Sequence, residues 1–146
     1  MPGRFLVAVD FSRLTEPTIA YAVKLATGSG HQIDLFHVVV GAFQTPNLGN
    51  AVAQDLVDRL TRGETEGAQK RLRELMESSV PESMRGDCLI GEGPPAEAIN
   101  TQAAVENRYE MVVVSTNGRT GLQHILLGSV AERVVRHAKV PVLVVR

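Results

Sequence analysis

The chain has 146 residues, 44% hydrophobic and 21% charged, enough to bury roughly two thirds of its unfolded surface in a single domain spanning residues 1–146. Its 15 basic and 16 acidic side chains nearly cancel, and neither sign gathers into a block, so neither a nucleic acid nor a membrane surface is an expected partner. Four Phe, two Tyr and no Trp leave little material for stacking bases. Cys88 is the only cysteine, which excludes an internal disulfide and a thiolate metal cluster. The apolar run 5–9 is too short for a signal-peptide core. No run approaches the ~18 residues of a membrane span, so the expected address is the cytoplasm.

Five short apolar runs alternate with segments of helical periodicity. The first, Phe5-Leu6-Val7-Ala8-Val9, ends at Asp10. Ile19, Ala22, Val23 and Ala26 then recur at helical spacing until Gly28-Ser29-Gly30 stops them. Residues 33–40 read as a second strand, apolar except for Asp34 and His37, and 41–50, with Pro46, Asn47, Gly49 and Asn50, as a surface loop. A long helix is predicted over 52–79 with Ala68, Leu72, Leu75 and Met76 inward, weakened by Gly63 and Gly67 enough to admit a kink or break near them. A weaker third strand covers 85–90, and Pro94-Pro95 opens a short helix with Ala96, Ile99 and Ala103 inward. The strand 111–114, a helix over 130–138 and the strand Val142–Val145 complete the chain.

The strands are continuous Val/Leu/Ile runs, as expected where both sheet faces are covered. Alternating βα units predict an α/β fold, a doubly wound five-stranded parallel sheet with helices on both faces. Ligands bind such sheets beyond the carboxyl ends of the strands, at the switch point of strand order. The candidate positions are Asp10, 38–40, 91–93 and 115–118.

Residues 111–129, MVVVSTNGRTGLQHILLGS, join a buried strand, a glycine-bearing loop and a helix N-terminus. Such a unit aims amide N–H groups and the positive end of a helix dipole at one point, which suits a phosphate. Ser129 and Glu132 fit a capping box with Ser129 as N-cap. Gly128 and Gly118 lack the Cβ that would hold a phosphate away. Gly91-Glu92-Gly93-Pro94-Pro95-Ala96 formally matches a dinucleotide fingerprint, but its two prolines remove donors from the turn that would cradle a pyrophosphate. A tight turn is the better reading. No glycine precedes Lys-Ser or Lys-Thr, so a Walker A loop is absent. Asp10 lacks the neighbouring acid, the acceptor Asp and the late Lys of a phosphoacceptor receiver domain. It reads equally as a cap on the following helix and as an acceptor for a sugar hydroxyl. His31, His37, His124 and His137 share no metal-ligand spacing and read as packed or solvated. No catalytic triad or positioned general base is visible.

With these residues in view, the chain resembles the universal stress protein family. The nucleotide-binding branch of that family carries a glycine, two residues, a second glycine, nine residues, then glycine with Ser or Thr. Here the register runs Ser115, Gly118, residues 119–127 and Gly128-Ser129. Gly-Arg-Thr-Gly-Leu, Leu-Leu-Gly-Ser-Val-Ala-Glu, Val-Asp-Phe-Ser at 9–12, Phe-His-Val at 36–38 and the terminal Val-Pro-Val-Leu-Val-Val are family-like, so the resemblance covers nearly the whole chain. Ser115 replaces the first motif glycine. A left-handed conformation or a very close backbone approach there would penalise serine, whereas an ordinary extended one would leave its hydroxyl to donate to ribose or phosphate.

The resemblance implies strand order 3-2-1-4-5 and ATP as ligand. Ala8, Val9 and the Val38 backbone would hold adenine, and Asp10 the ribose. Asn117, Gly118, Gly128, Ser129 and Val130 would hold the phosphates, with Arg119 in reach of the γ-phosphate and Mg²⁺ carried mainly by the nucleotide. It also implies a homodimer in which two Val142–Val145 edge strands pair antiparallel. The expected function is an ATP-binding regulatory module of the stress response, with at most slow hydrolysis or autophosphorylation. The alternatives are a nucleotide-free interaction or chaperone-like dimer of the same fold, and a nucleotide-transferring enzyme. The latter would need a Ser-Gly-Gly loop or His-x-Gly-His element that Asp10-Phe11-Ser12 does not supply.

Overall fold

The computed structural model describes residues 3–41, 51–116 and 127–146, with the side chains of Ala51 and Val52 undescribed. Its elements run β1 (Arg4–Ala8), α1 (Thr15–Ala26), β2 (Gln32–Val39), α2 (Ala51–Ser79), β3 (Arg85–Glu92), α3 (Pro95–Ala103), β4 (Tyr109–Ser115), α4 (Ser129–His137) and β5 (Val142–Val145), with a 3₁₀ turn at Glu82–Met84 before β3. All strand pairings are parallel, and the order is β3-β2-β1-β4-β5. The expected sheet is therefore present, and its switch point lies between β1 and β4.

Strand alternation divides the core into two layers. Phe5, Val7, Ile33, Leu35, Val113 and Val145 face α1 and α2, meeting Ile19, Ala22, Leu72 and Met76. Leu6, Phe36, Val112 and Val114 face α3 and α4, meeting Ala96, Ile99, Ala131 and Val134. The inward residues expected on α3, Ala96, Ile99 and Ala103, are all buried. α2 corrects one expectation, because it runs unbroken through Gly63 and Gly67. A mid-helix glycine costs only about 1 kcal/mol, and the buried Ala68, Leu72 and Met76 stripe holds the helix on the sheet.

At the amino ends of the strands, the fully buried Asp34 gathers the sheet together. It accepts from the Arg4 guanidinium at 2.6 Å, Arg108 at 2.7 Å, the Tyr109 hydroxyl at 2.9 Å and the Asp87 amide at 2.8 Å. Gly86 makes the last bond possible, since a Cβ there would stand 2.1 Å from Asp34 Oδ1 and 2.7 Å from the Ile33 carbonyl oxygen. Burial pushes the Asp34 carboxyl up, but the Asp87 amide, Arg108, Tyr109 and Arg4 together outweigh it and hold the group below its ordinary value of 3.8.

Asp34→Ala should therefore cost about 3 kcal/mol, because it strands buried donors. That is a fall of roughly 6–12 °C in Tm by thermal denaturation. A depressed carboxyl contributes its stability above the unfolded value and loses it as pH falls through the folded one. The gap in Tm between native protein and Asp34→Ala should thus be full at neutral pH and close progressively below pH 3.8.

Candidate functional site

At the opposite pole, the carboxyl ends of β1, β2 and β4 open into a cleft of about 300 Å³. Ala8, Val9 and Asp10 form one side, and Phe36, His37, Val38 and Val40 the next. Ser115 and Thr116 continue from β4, Gly128, Ser129 and Val130 open α4, and Pro95 and Ile99 of α3 close the far wall. Of the sequence-predicted residues, Ala8, Val9, Asp10, Val38, Ser115, Gly128, Ser129 and Val130 all line this space. Asn117, Gly118, Arg119 and His124 lie outside the described residues, as do positions 42–50 of the expected surface loop.

The helix end is built differently from the expected capping box. Gly128, at φ −69° and ψ 160°, is the N-cap of α4, and Ser129 is the first helical residue, with no side-chain cap bond. The Gly128 amide donates to the Thr116 carbonyl at 2.8 Å, and the Thr116 amide to Val145 at 2.9 Å. These two bonds anchor the helix start beside the end of β4. They also occupy the Gly128 amide within the protein. Since the first intrahelical bond runs from the Glu132 amide to Gly128 at 2.9 Å, the helix-end donors are the amides of Ser129, Val130 and Ala131. Glu132 instead pairs with Arg136 one turn on.

Asp10 does not cap α1, which starts at Thr15 with Leu14 as N-cap. Its Oδ1 accepts from the Ser12 amide at 3.0 Å and the Thr15 hydroxyl at 3.4 Å, closing a local turn. Within this turn Phe11 holds φ +57°, unusual for a bulky side chain. Its ring is held between His37, at 4.4 Å between centroids, and the Arg71 guanidinium, at 3.9 Å. Backbone strain of this kind gathers at functional sites.

Phe36, His37, Pro95, Ile99 and Val114 line the cleft without having been expected there, and His37 is the polar one among them. Its Nδ1–H donates to the Val9 carbonyl at 2.6 Å, while the Val9 amide donates to Phe36 at 2.8 Å. Both backbone groups of Val9 are thus engaged within the protein. The signal available was a lone polar residue at the carboxyl end of an apolar strand. Ser115 is the last residue of β4, paired with Val145, and is not among the positive-φ residues. Its extended backbone carries none of the left-handed strain that would favour glycine there.

The rejected fingerprint is a turn, with Gly93 at φ +103° and Pro94 and Pro95 as N-cap and first residue of α3. No group of three His, Cys, Asp or Glu able to hold a metal occurs among the described residues. Asp10 is the only carboxylate lining the cleft among them. Burial pushes the Cys88 thiol up, so it is not a thiolate nucleophile at neutral pH.

The profile of the universal stress protein family matches residues 1–146. Universal stress protein MJ0531 of Methanocaldococcus jannaschii is 30% identical over 144 residues, covering 98% of this chain and 81% of that protein. Among solved structures, MJ0577 of the same organism superposes with a TM-score of 0.83 at 25% identity, covering 99% of this chain and 96% of that one. A universal stress protein from Archaeoglobus fulgidus, solved in complex with dAMP, has a TM-score of 0.59 at 21% identity, covering 100% and 98%. At that identity it shows the fold alone.

The cap assignment has a direct test. Ser129→Ala should cost less than about 0.5 kcal/mol in thermal denaturation. A true N-cap serine would cost about 1 kcal/mol.

Proposed function

The chain belongs to the universal stress protein family, and we propose that it binds ATP in the cleft at the sheet's switch point and acts as a nucleotide-dependent regulatory module of the stress response. The observation that carries this reading is the convergence of three strand ends and the amino end of α4 on one cleft. A helix N-terminus whose first amides have no intrahelical acceptor favours phosphate, and an apolar hollow beside it suits a base. Adenine lies against Ala8, Val9 and Val38, and the ribose hydroxyls reach Asp10. The phosphates meet the amides of Ser129 and Val130, the space at Gly128 and the Ser115 hydroxyl. Asn117, Gly118 and Arg119 complete the phosphate site from the adjoining segment. Mg²⁺ arrives bound to the phosphates. Turnover is slow at most, because no described cleft residue is placed as a general base beside an arginine finger.

The nucleotide-free alternative draws on Ser115, which stands where the nucleotide-binding branch carries glycine. The module acts in the cytoplasm. It assembles as a homodimer through β5, which carries four apolar residues and pairs only with β4 among the described residues. An open apolar edge of this kind invites a second strand.

ATP at ~100 times its Kd should add about 2.7 kcal/mol, a rise of roughly 5–11 °C in Tm for a domain of this size. Gly128→Val should keep the fold and abolish that rise, since its side chain fills the phosphate position. An undiminished rise would place the nucleotide elsewhere. For the dimer, Val144→Lys should sediment as a monomer with its circular dichroism unchanged. An unaltered mass would remove β5 from the interface.

A further inference from the structure

The outer face of α2 is patterned in a way that neither the core nor the cleft explains. Its inner stripe, Ala68, Leu72 and Met76, is buried. On the opposite side Leu56 and Leu60 are 56% and 60% exposed. A Cβ added at Gly63 or Gly67 would meet nothing within 4 Å. Spaced at i, i+4, i+7 and i+11, these four residues form one stripe along the helix. Two leucine knobs therefore sit beside two notches on a face that the fold leaves uncovered, although every glycine inside a helix carries a cost.

The stripe is also a palindrome. About the midpoint between Thr61 and Arg62, Leu60 mirrors Gly63 and Leu56 mirrors Gly67. A twofold axis through that midpoint lays two such helices antiparallel and seats each leucine over a glycine of the other copy, as an isologous contact requires. The missing side chains let the helices approach closely. One flank of the stripe carries Asp55, Arg59, Glu66 and Lys70 in alternating sign, with Asp55 and Arg59 already paired within the helix at 2.5 Å. Antiparallel packing brings like flanks together, so Asp55 comes near Lys70 and Arg59 near Glu66 of the second copy. Opposite charges meet along that flank.

We propose that the outer face of α2 is a self-association surface on which two copies of this chain pack antiparallel, with Leu56 and Leu60 of each in the Gly67 and Gly63 notches of the other. The surface is separate from the proposed β5 contact, because α2 rests on β2 and β3, on the far side of the sheet from β5. It also does not depend on nucleotide. A contact confined to one pair of helices is small, so the association is weak and concentration-dependent. Used together with a β5 dimer, it would link dimers into larger assemblies.

Cysteine cross-linking tests the geometry. The double variant Leu60→Cys/Gly63→Cys should form a disulfide-linked dimer under mild oxidation, because these positions face each other across the axis. Gly63→Cys alone should cross-link at least tenfold less. The native chain, whose only thiol is the half-buried Cys88, is the baseline. Absence of a linked dimer in the double variant, or equal linkage by Gly63→Cys alone, overturns the proposal. Sedimentation of the native protein gives an independent reading. Its mass should rise with concentration, and Leu56→Lys/Leu60→Lys, changed only at exposed positions, should remove that rise. Identical profiles for the two proteins would also overturn it.

Discussion

Five strands running in one direction are the constraint from which the rest of this structure follows. Parallel neighbours cannot be joined by a tight turn, so each connection must cross a face of the sheet. α1 and α2 cover one face, and α3 and α4 the other. The chain builds outward from β1 through β2 to β3, then restarts on the other side with β4 and β5. Where the two directions part, the carboxyl ends of β1 and β4 lie side by side, and the described residues there line an open cleft. The cleft is a consequence of topology before it is a property of any residue.

Backbone bonding then turns the gap into a shaped site. The Thr116 amide binds Val145 and the Gly128 amide binds Thr116, so the chain returns to β4 before α4 begins. The helix therefore starts at the lip of the cleft with its first amides turned to a common region. Across the cleft, the Asp10 turn, the strained Phe11 and the His37 bond to Val9 fix the end of β1 against β2. Both walls are set by contacts within the protein.

The two poles of the sheet divide the work. Around Asp34, charge is buried, paired and satisfied, and every donor that reaches it is spent on holding strands together. Around Asp10, the cleft is open, and the amides at the start of α4 lack intrahelical acceptors. Carboxylates on neighbouring strands thus serve different ends according to whether their surroundings are closed. The Asp34 network stabilises the frame from the end opposite the cleft, which leaves strained backbone and helix-start amides without intrahelical acceptors at the other.

Hydrophobic period alone determined the number, type and order of the elements, since continuous Val/Leu/Ile runs and helical spacing reflect burial that each segment needs wherever it lies in the chain. The glycine spacing through Gly128, with its resemblance to a known family, likewise located the cleft. Tertiary structure decided what single residues do there. Asp34 reads in sequence as an interruption of a strand, and only strand register brings Arg4, Asp87, Arg108 and Tyr109 to it. Ser129 reads as a cap, but the bond from Gly128 to Thr116 sets the helix start one residue earlier. His37 sits in a family-like Phe-His-Val run, but its role as a brace appears only once Val9 lies beside it. A period is a property of neighbours in sequence, whereas a hydrogen-bond partner is a neighbour in space, and the chain must fold before the second kind exists.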